Sequence, residues 1–184
     1  MLSGYWIVVC VVLVPALLLA SWIDYSQRRV PNRLNGVLAL AGFAAQGAYF
    51  GWSGLSAGAL GLLVGLGVLI VPWVMHGMGA GDVKLMGAIG VWFGPWMTLL
   101  SFAVGAILGG VIAIVMIVAA RRTALAWSHM GLILLKVRSR ETIFSEFASA
   151  KSLGQKPQLL PYGVPLSMGS MFVLSGQVFG WWMV

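Results

Sequence analysis

From Gly4 to Ile23 the chain carries no charged side chain, and similar apolar runs recur along its length. A helix of roughly 20 residues crosses the hydrocarbon core of a bilayer while satisfying its own backbone hydrogen bonds. With 60% apolar and 8% charged residues and a mean hydropathy of +0.98, a 184-residue soluble domain could not cover its core with polar surface. Lipid is therefore the solvent for most of the chain, and an all-α integral membrane fold is expected. Six spans fit the runs, at about Gly4–Ile23, Leu34–Phe50, Leu55–Met75, Val83–Phe93, Trp96–Ala120 and Val164–Met183. A cleaved signal peptide is the rival for the first run. It lacks a basic start, and the small residues Ala20 and Ser21 are followed by Trp22, a poor cleavage pattern. The expectation is one membrane domain over 1–184, with a basic loop at about 121–160 before the last helix.

The net charge of +7 has a topological meaning. Arg28, Arg29 and Arg33 form one cluster, the residues from Arg121 to Lys156 a second, and Lys84 stands between them. Clusters beside membrane spans set orientation and meet anionic headgroups; nothing here spreads into a groove for nucleic acid. If the loop after the first span is cytoplasmic, alternation makes 76–82 and 121–163 cytoplasmic too. Every Lys and Arg then falls on that side, Lys84 just past the second loop. The opposite loops, Gly51-Trp52-Ser53-Gly54 and Gly94-Pro95, carry none.

Glycines at four-residue spacing (Gly54/Gly58, Gly61/Gly65, Gly105/Gly109) predict close helix contacts, since one helix face is stripped of side chains. Trp6, Trp22, Trp52, Trp73, Trp92, Trp96, Trp181 and Trp182 cluster near span ends, as interface anchors do. Cys10, the single cysteine, lies in an apolar run and reads as a packing residue. Thr123–Leu135 reads either as an interfacial amphipathic helix or as a mobile cytoplasmic loop.

Only four acids occur: Asp24, Asp82, Glu141 and Glu146. The glutamates sit in the basic loop, where screening that charge is their simplest role. Asp24 and Asp82 each stand where an apolar run meets a short polar loop, an expensive place for a carboxylate. The topology puts both at one membrane face. In Gly79-Ala80-Gly81-Asp82-Val83-Lys84, the glycines remove bulk beside the acid and let another backbone approach, in a peptide-cleaving site an extended substrate strand. Lys84 would point away from Asp82 on a helix and snorkel to headgroups. An Asp in this loop would repel phosphate, so nucleotide binding is set aside. After Asp24, Pro31 holds Val30 extended and ends any helix, and Asn32 is placed to cap the second span or orient a carboxylate. His76 is close enough in sequence to tune Asp82, although simple solvation explains it equally well. His129 has no acid or histidine at ligand spacing, so no metal site is expected.

Asp24 followed by Val30-Pro31-Asn32, the Gly79-x-Gly81-Asp82-x-Lys84 element, and Leu160-Pro161-Tyr162-Gly163 before the last span together resemble the type IV prepilin peptidase family. Members are integral-membrane aspartyl proteases with a Gly-x-Gly-Asp motif. The resemblance implies Asp24 and Asp82 as the catalytic pair. It implies site-shaping or substrate-binding roles for Gly79, Gly81, Lys84, Pro31, Asn32, Pro161, Tyr162 and Gly163. Larger members carry an N-terminal methylase region with paired CxxC motifs, which nothing here matches. The chain looks like the short form serving Flp or tight-adherence pili, which implies leader-peptide cleavage without methyltransferase activity. No cofactor is implied. The partners implied are a prepilin substrate, membrane lipids and pilus assembly proteins. The location implied is the bacterial inner membrane, with the site at its cytoplasmic face.

Paired carboxyls suffice for that chemistry. Two such groups about 3 Å apart do not both ionise, so they share a proton. Two other classes stay open on sequence alone: a small ion or proton transporter, since intramembrane carboxylates also mark ion paths, and a non-catalytic subunit of a pilus or secretion assembly. A transporter is disfavoured because no acid lies at mid-bilayer or on the opposite side to relay charge.

Overall fold

The computed structural model describes residues 4–27, 29–74, 78–119 and 162–180. Among these residues there is no strand, and four helices account for nearly all of them: α1 (Gly4–Gln27), α2 (Asn32–Val74), α3 (Ala80–Ala119) and α4 (Gly163–Val178). Three stretches are long and apolar enough to cross a membrane: Gly4–Gln27, Asn32–Ile70 and Ala80–Met116. Residues 1–110 and 159–184 form one compact unit, to which the following description applies. Residues 111–158 form a second, and its described part, 111–119, is helical. Arg28, His76, Pro161, Trp181, Trp182 and the whole segment 120–160, with His129, Glu141, Glu146 and the expected amphipathic helix, lie outside the described residues.

The helices α2 and α3 are each broken once, within the loops expected at Gly51-Trp52-Ser53-Gly54 and Gly94-Pro95. Gly51 (φ 58°) interrupts α2 and Gly94 (φ 71°) interrupts α3, both in left-handed territory that a side chain disfavours. At Gly51 the chain doubles back. Gly47 lies against Leu55, and Gly58 against Phe43, so the arms of α2 run antiparallel. The break in α3 is enforced by Pro95, which has no N–H for the carbonyl of Val91. Side chains from α1, α2 and α3 itself bond the carbonyls around the break. Gln46 Nε2 donates to Val91 O at 3.1 Å and Trp92 O at 3.4 Å, the Tyr5 hydroxyl also donates to Trp92 O, and Thr98 Oγ1 donates to Gly94 O. Orphaned helix-end carbonyls in an apolar interior are thereby satisfied.

The glycine pairs act as their spacing predicts. Gly61 and Gly90 face each other so closely that a Cβ on either would strike the other's carbonyl oxygen. Gly65 meets Met86 O in the same way, and Gly58 lies on Val91. The second arm of α2 and the first arm of α3 therefore pack backbone to backbone, antiparallel. Gly105 and Gly109 receive Pro165 and Leu166 of α4, and Gly169 receives Gly105 and Ser101. Trp92 departs from expectation. It is buried in the core, not an interface anchor, and its Nε1 donates to Leu38 O at 2.9 Å. Trp22, Trp52, Trp73 and Trp96 are exposed as anchors should be.

These contacts define two ends. Tyr5 stacks edge-on with Tyr49 and Phe50 at one. Asp24 stands 19 positions further along α1, about 28 Å away at 1.5 Å per residue, close to one hydrocarbon thickness. The starts of α2, α3 and α4 gather at that second end, around Asp24.

Candidate active site

Asp24 occupies the last turn of α1 and is buried, 2% exposed. It arrives there because Val9, Leu13, Leu17 and Ala20, on the same helical stripe, pack into the core and draw the carboxyl in with them. Its Oδ2 accepts the backbone N–H of Gly163 at 2.8 Å, and the N–H of Val164 bonds it as well. Both donors belong to the first turn of α4, whose N–H groups have no intrahelical partner. Gly163 is a glycine for a steric reason: a Cβ there would lie 2.8 Å from Asp24 Oδ2 and 3.0 Å from its Cγ. Tyr162, half-buried, accepts the N–H of Leu166 at 3.2 Å through its carbonyl and starts that turn.

Asp82 lies in the first turn of α3 and is also buried, 6% exposed. Its own N–H donates to Gly79 O at 3.1 Å, and backbone at Gly79 bonds its carboxyl in return. The Oδ1 atom is buried with no hydrogen-bond partner among the described residues. Asp24 is close enough to act on it electrostatically. The two acids thus lie within electrostatic reach of each other, from helices more than fifty residues apart in sequence.

The surrounding residues match expectation in place but not always in role. Gly81 does admit a second backbone, yet that backbone is the chain's own. A Cβ at Gly81 would meet Val30 O at 2.7 Å and Val30 N at 3.1 Å, so the space assigned to a substrate strand is already filled. Pro31, half-buried and outside the helix, holds Val30 in the extended form that this contact needs, and its carbonyl accepts the N–H of Asn35 at 3.3 Å. Asn32 is exposed and opens α2, where its Oδ1 accepts Lys84 Nζ at 3.1 Å. Lys84, expected to reach for headgroups, instead ties α3 to the start of α2.

Asn35 was not foreseen. It is buried, 3% exposed, and its Nδ2 donates to Gly81 O at 2.8 Å. The one signal for it in sequence was an amide inside an apolar run, one turn after Asn32. No group of three or more His, Cys, Asp or Glu able to hold a metal occurs among the described residues.

No curated protein and no solved structure matches the chain in a search of either kind. A family model does, that of the type IV leader peptidase family, over residues 11–114. The matched stretch holds both Asp24 and Asp82, with Pro31, Asn35 and Gly79–Gly81 between them in sequence. Since it spans more than half of the 184 residues, the chain belongs to the type IV leader peptidase family.

Proposed function

We propose that this chain is a membrane aspartyl endopeptidase that removes the leader peptide from Flp-like type IV prepilins, with Asp24 and Asp82 as its catalytic pair. The observation that carries this reading is the burial of two electrostatically coupled carboxyls at one end of an apolar helical bundle. In such a pair one group holds a proton and the other does not. The ionised carboxylate takes a proton from water as the water oxygen attacks the scissile carbonyl carbon, and the protonated partner donates to the carbonyl oxygen. When the C–N bond breaks, the acid that took the water's proton passes it to the leaving amine. A hydroxyl of the tetrahedral intermediate returns its own proton to the other acid, so the pair is again left with one proton. Neither a nucleophilic side chain nor a cofactor enters this sequence of steps.

The same reading gives six membrane crossings, α2 and α3 each contributing two arms about their glycine breaks. It puts Asp24 and Asp82 at the cytoplasmic face of the inner membrane, where Arg29, Arg33 and Lys84 also lie. A prepilin would insert its apolar helix beside the enzyme and leave its leader on that side, with the scissile bond at the leader–helix boundary. Because a helical peptide bond hides its carbonyl in an intrahelical hydrogen bond, that boundary must unwind, and a glycine before the scissile bond eases it.

Co-expression with a Flp-type prepilin tests the proposal. The precursor should shift to the mature size, with a new N-terminus just after a small residue at that boundary by mass spectrometry. Asp24→Asn and Asp82→Asn should each abolish the shift while remaining in the membrane. Processing that survives either substitution removes that residue from the mechanism, and a precursor left uncut by the native chain overturns the activity.

A further inference from the structure

Asn35 is costly where it stands. An amide within a helix gives up propensity relative to an apolar residue, and a buried polar atom without a partner costs about 1–3 kcal/mol. Asn35 carries both penalties. It lies in the first arm of α2, almost wholly buried, and its Oδ1 has no hydrogen-bond partner among the described residues. Nor does its one side-chain bond complete the backbone. Gly81 O lies in α3, where the N–H of Leu85 is its ordinary intrahelical partner, so the bond from Asn35 Nδ2 is an extra one. A leucine of similar shape would fill the site without an unsatisfied acceptor.

What the bond does accomplish is geometric. The Val30–Gly81 backbone contact sets how closely the segment after Asp24 approaches the first turn of α3, but van der Waals contact does not fix rotation. A directional hydrogen bond does. Asn35 takes its own backbone anchor from Pro31 O and delivers its amide to Gly81, the residue before Asp82. One side chain thus joins the segment that follows the first acid to the peptide that precedes the second.

We infer that Asn35 is a positioning residue of the carboxyl pair, holding the start of α3 at the rotation that lets Asp82 face Asp24. The inference rests on the endopeptidase reading above. A misplacement of about 1 Å in a reacting group costs on the order of a hundredfold in rate. Asn35→Leu should therefore lower kcat for prepilin cleavage by about tenfold to a hundredfold. Its KM should stay unchanged and its melting temperature in detergent should equal or exceed the native value. Asn35→Gln, which carries the same amide one methylene further out, should recover part of the lost kcat. If the leucine variant does not fold, Asn35→Met, whose flexible chain fills irregular space, takes its place with the same expectation. Native kcat in the folded apolar variant overturns the inference. So does a kcat loss matched by a fall in melting temperature with no recovery by glutamine. A native chain that cleaves no prepilin refutes the activity instead, so the two failures are told apart.

Discussion

Gly163→Ala adds a single methyl group, and the structure says where that group goes. Its Cβ would stand 2.8 Å from Asp24 Oδ2, 3.0 Å from Cγ and 3.1 Å from Asp24 Cβ, against ordinary contact from 3.4 Å upward. Relief requires Asp24 and α4 to separate by at least about 0.6 Å, since packed carbon and oxygen atoms repel steeply inside contact. The carboxylate then loses much of the 2.8 Å bond from the Gly163 N–H. Hydrogen bonds to charged groups contribute about 1.5–3 kcal/mol, and the same shift moves a reacting group by more than half an ångström. Together these give a loss in kcat of roughly tenfold to a hundredfold.

The assay is prepilin processing by purified enzyme in detergent, with melting temperature measured alongside. Gly67→Ala is the control, because a Cβ at Gly67 meets nothing within 4 Å and alanine favours the helix. Cleavage by Gly163→Ala within twofold of native would refute the claim that α4 positions Asp24 through this peptide. Equal losses in both variants would mean that any glycine change loosens the bundle.

Three further outcomes follow. The double variant Asp24→Asn with Asp82→Asn should be no less active than either single one, because groups acting as a unit are not additive, and residual-rate measurements on all three would show it. Gly81→Val should abolish processing and lower the melting temperature as well, since its Cβ meets the Val30 backbone and not a yielding side chain; native stability with lost activity would instead return that space to the substrate. A reporter fused after Arg33 should read cytoplasmic and one at Ser53 exoplasmic, and a cytoplasmic signal at Ser53 would undo the crossing at Gly51.

Much of this was legible because membrane sequences leave few ways to use polar residues. Asp24 and Asp82 announced themselves as two of only four acids, and the breaks at Gly51 and Gly94 followed from glycine and proline inside apolar runs. The glycine pairs likewise signalled backbone contact, though not that Gly61 would find Gly90. What failed to show in sequence was partner identity. Gly81 revealed that something approaches closely, but whether substrate or Val30 depends on tertiary contacts across fifty residues. Trp92 looked like its neighbours at span ends, yet it is buried and bonds Leu38 O across to α2. Asn35 has no motif at all. Only its burial beside Gly81 distinguishes it from an ordinary amide.

The way the two acids are held bears on the proposed chemistry. Every named hydrogen bond to Asp24 or Asp82 comes from backbone: Gly163 and Val164 for the first, Gly79 for the second. Among the described residues no cation stands beside either carboxyl. Lys84, the nearest cation in sequence, is drawn off to Asn32. The distinction matters because a buried ammonium or guanidinium would favour the ionised form of both acids and hold them as a pair of carboxylates. Two carboxylates cannot donate a proton to a carbonyl oxygen. Peptide N–H groups orient an acid and also favour its ionised form, but they add no net charge. In the proposed chemistry the like charge of the two acids is what keeps one proton on the pair. The glycines admit backbone close to the acids where a side chain would block it.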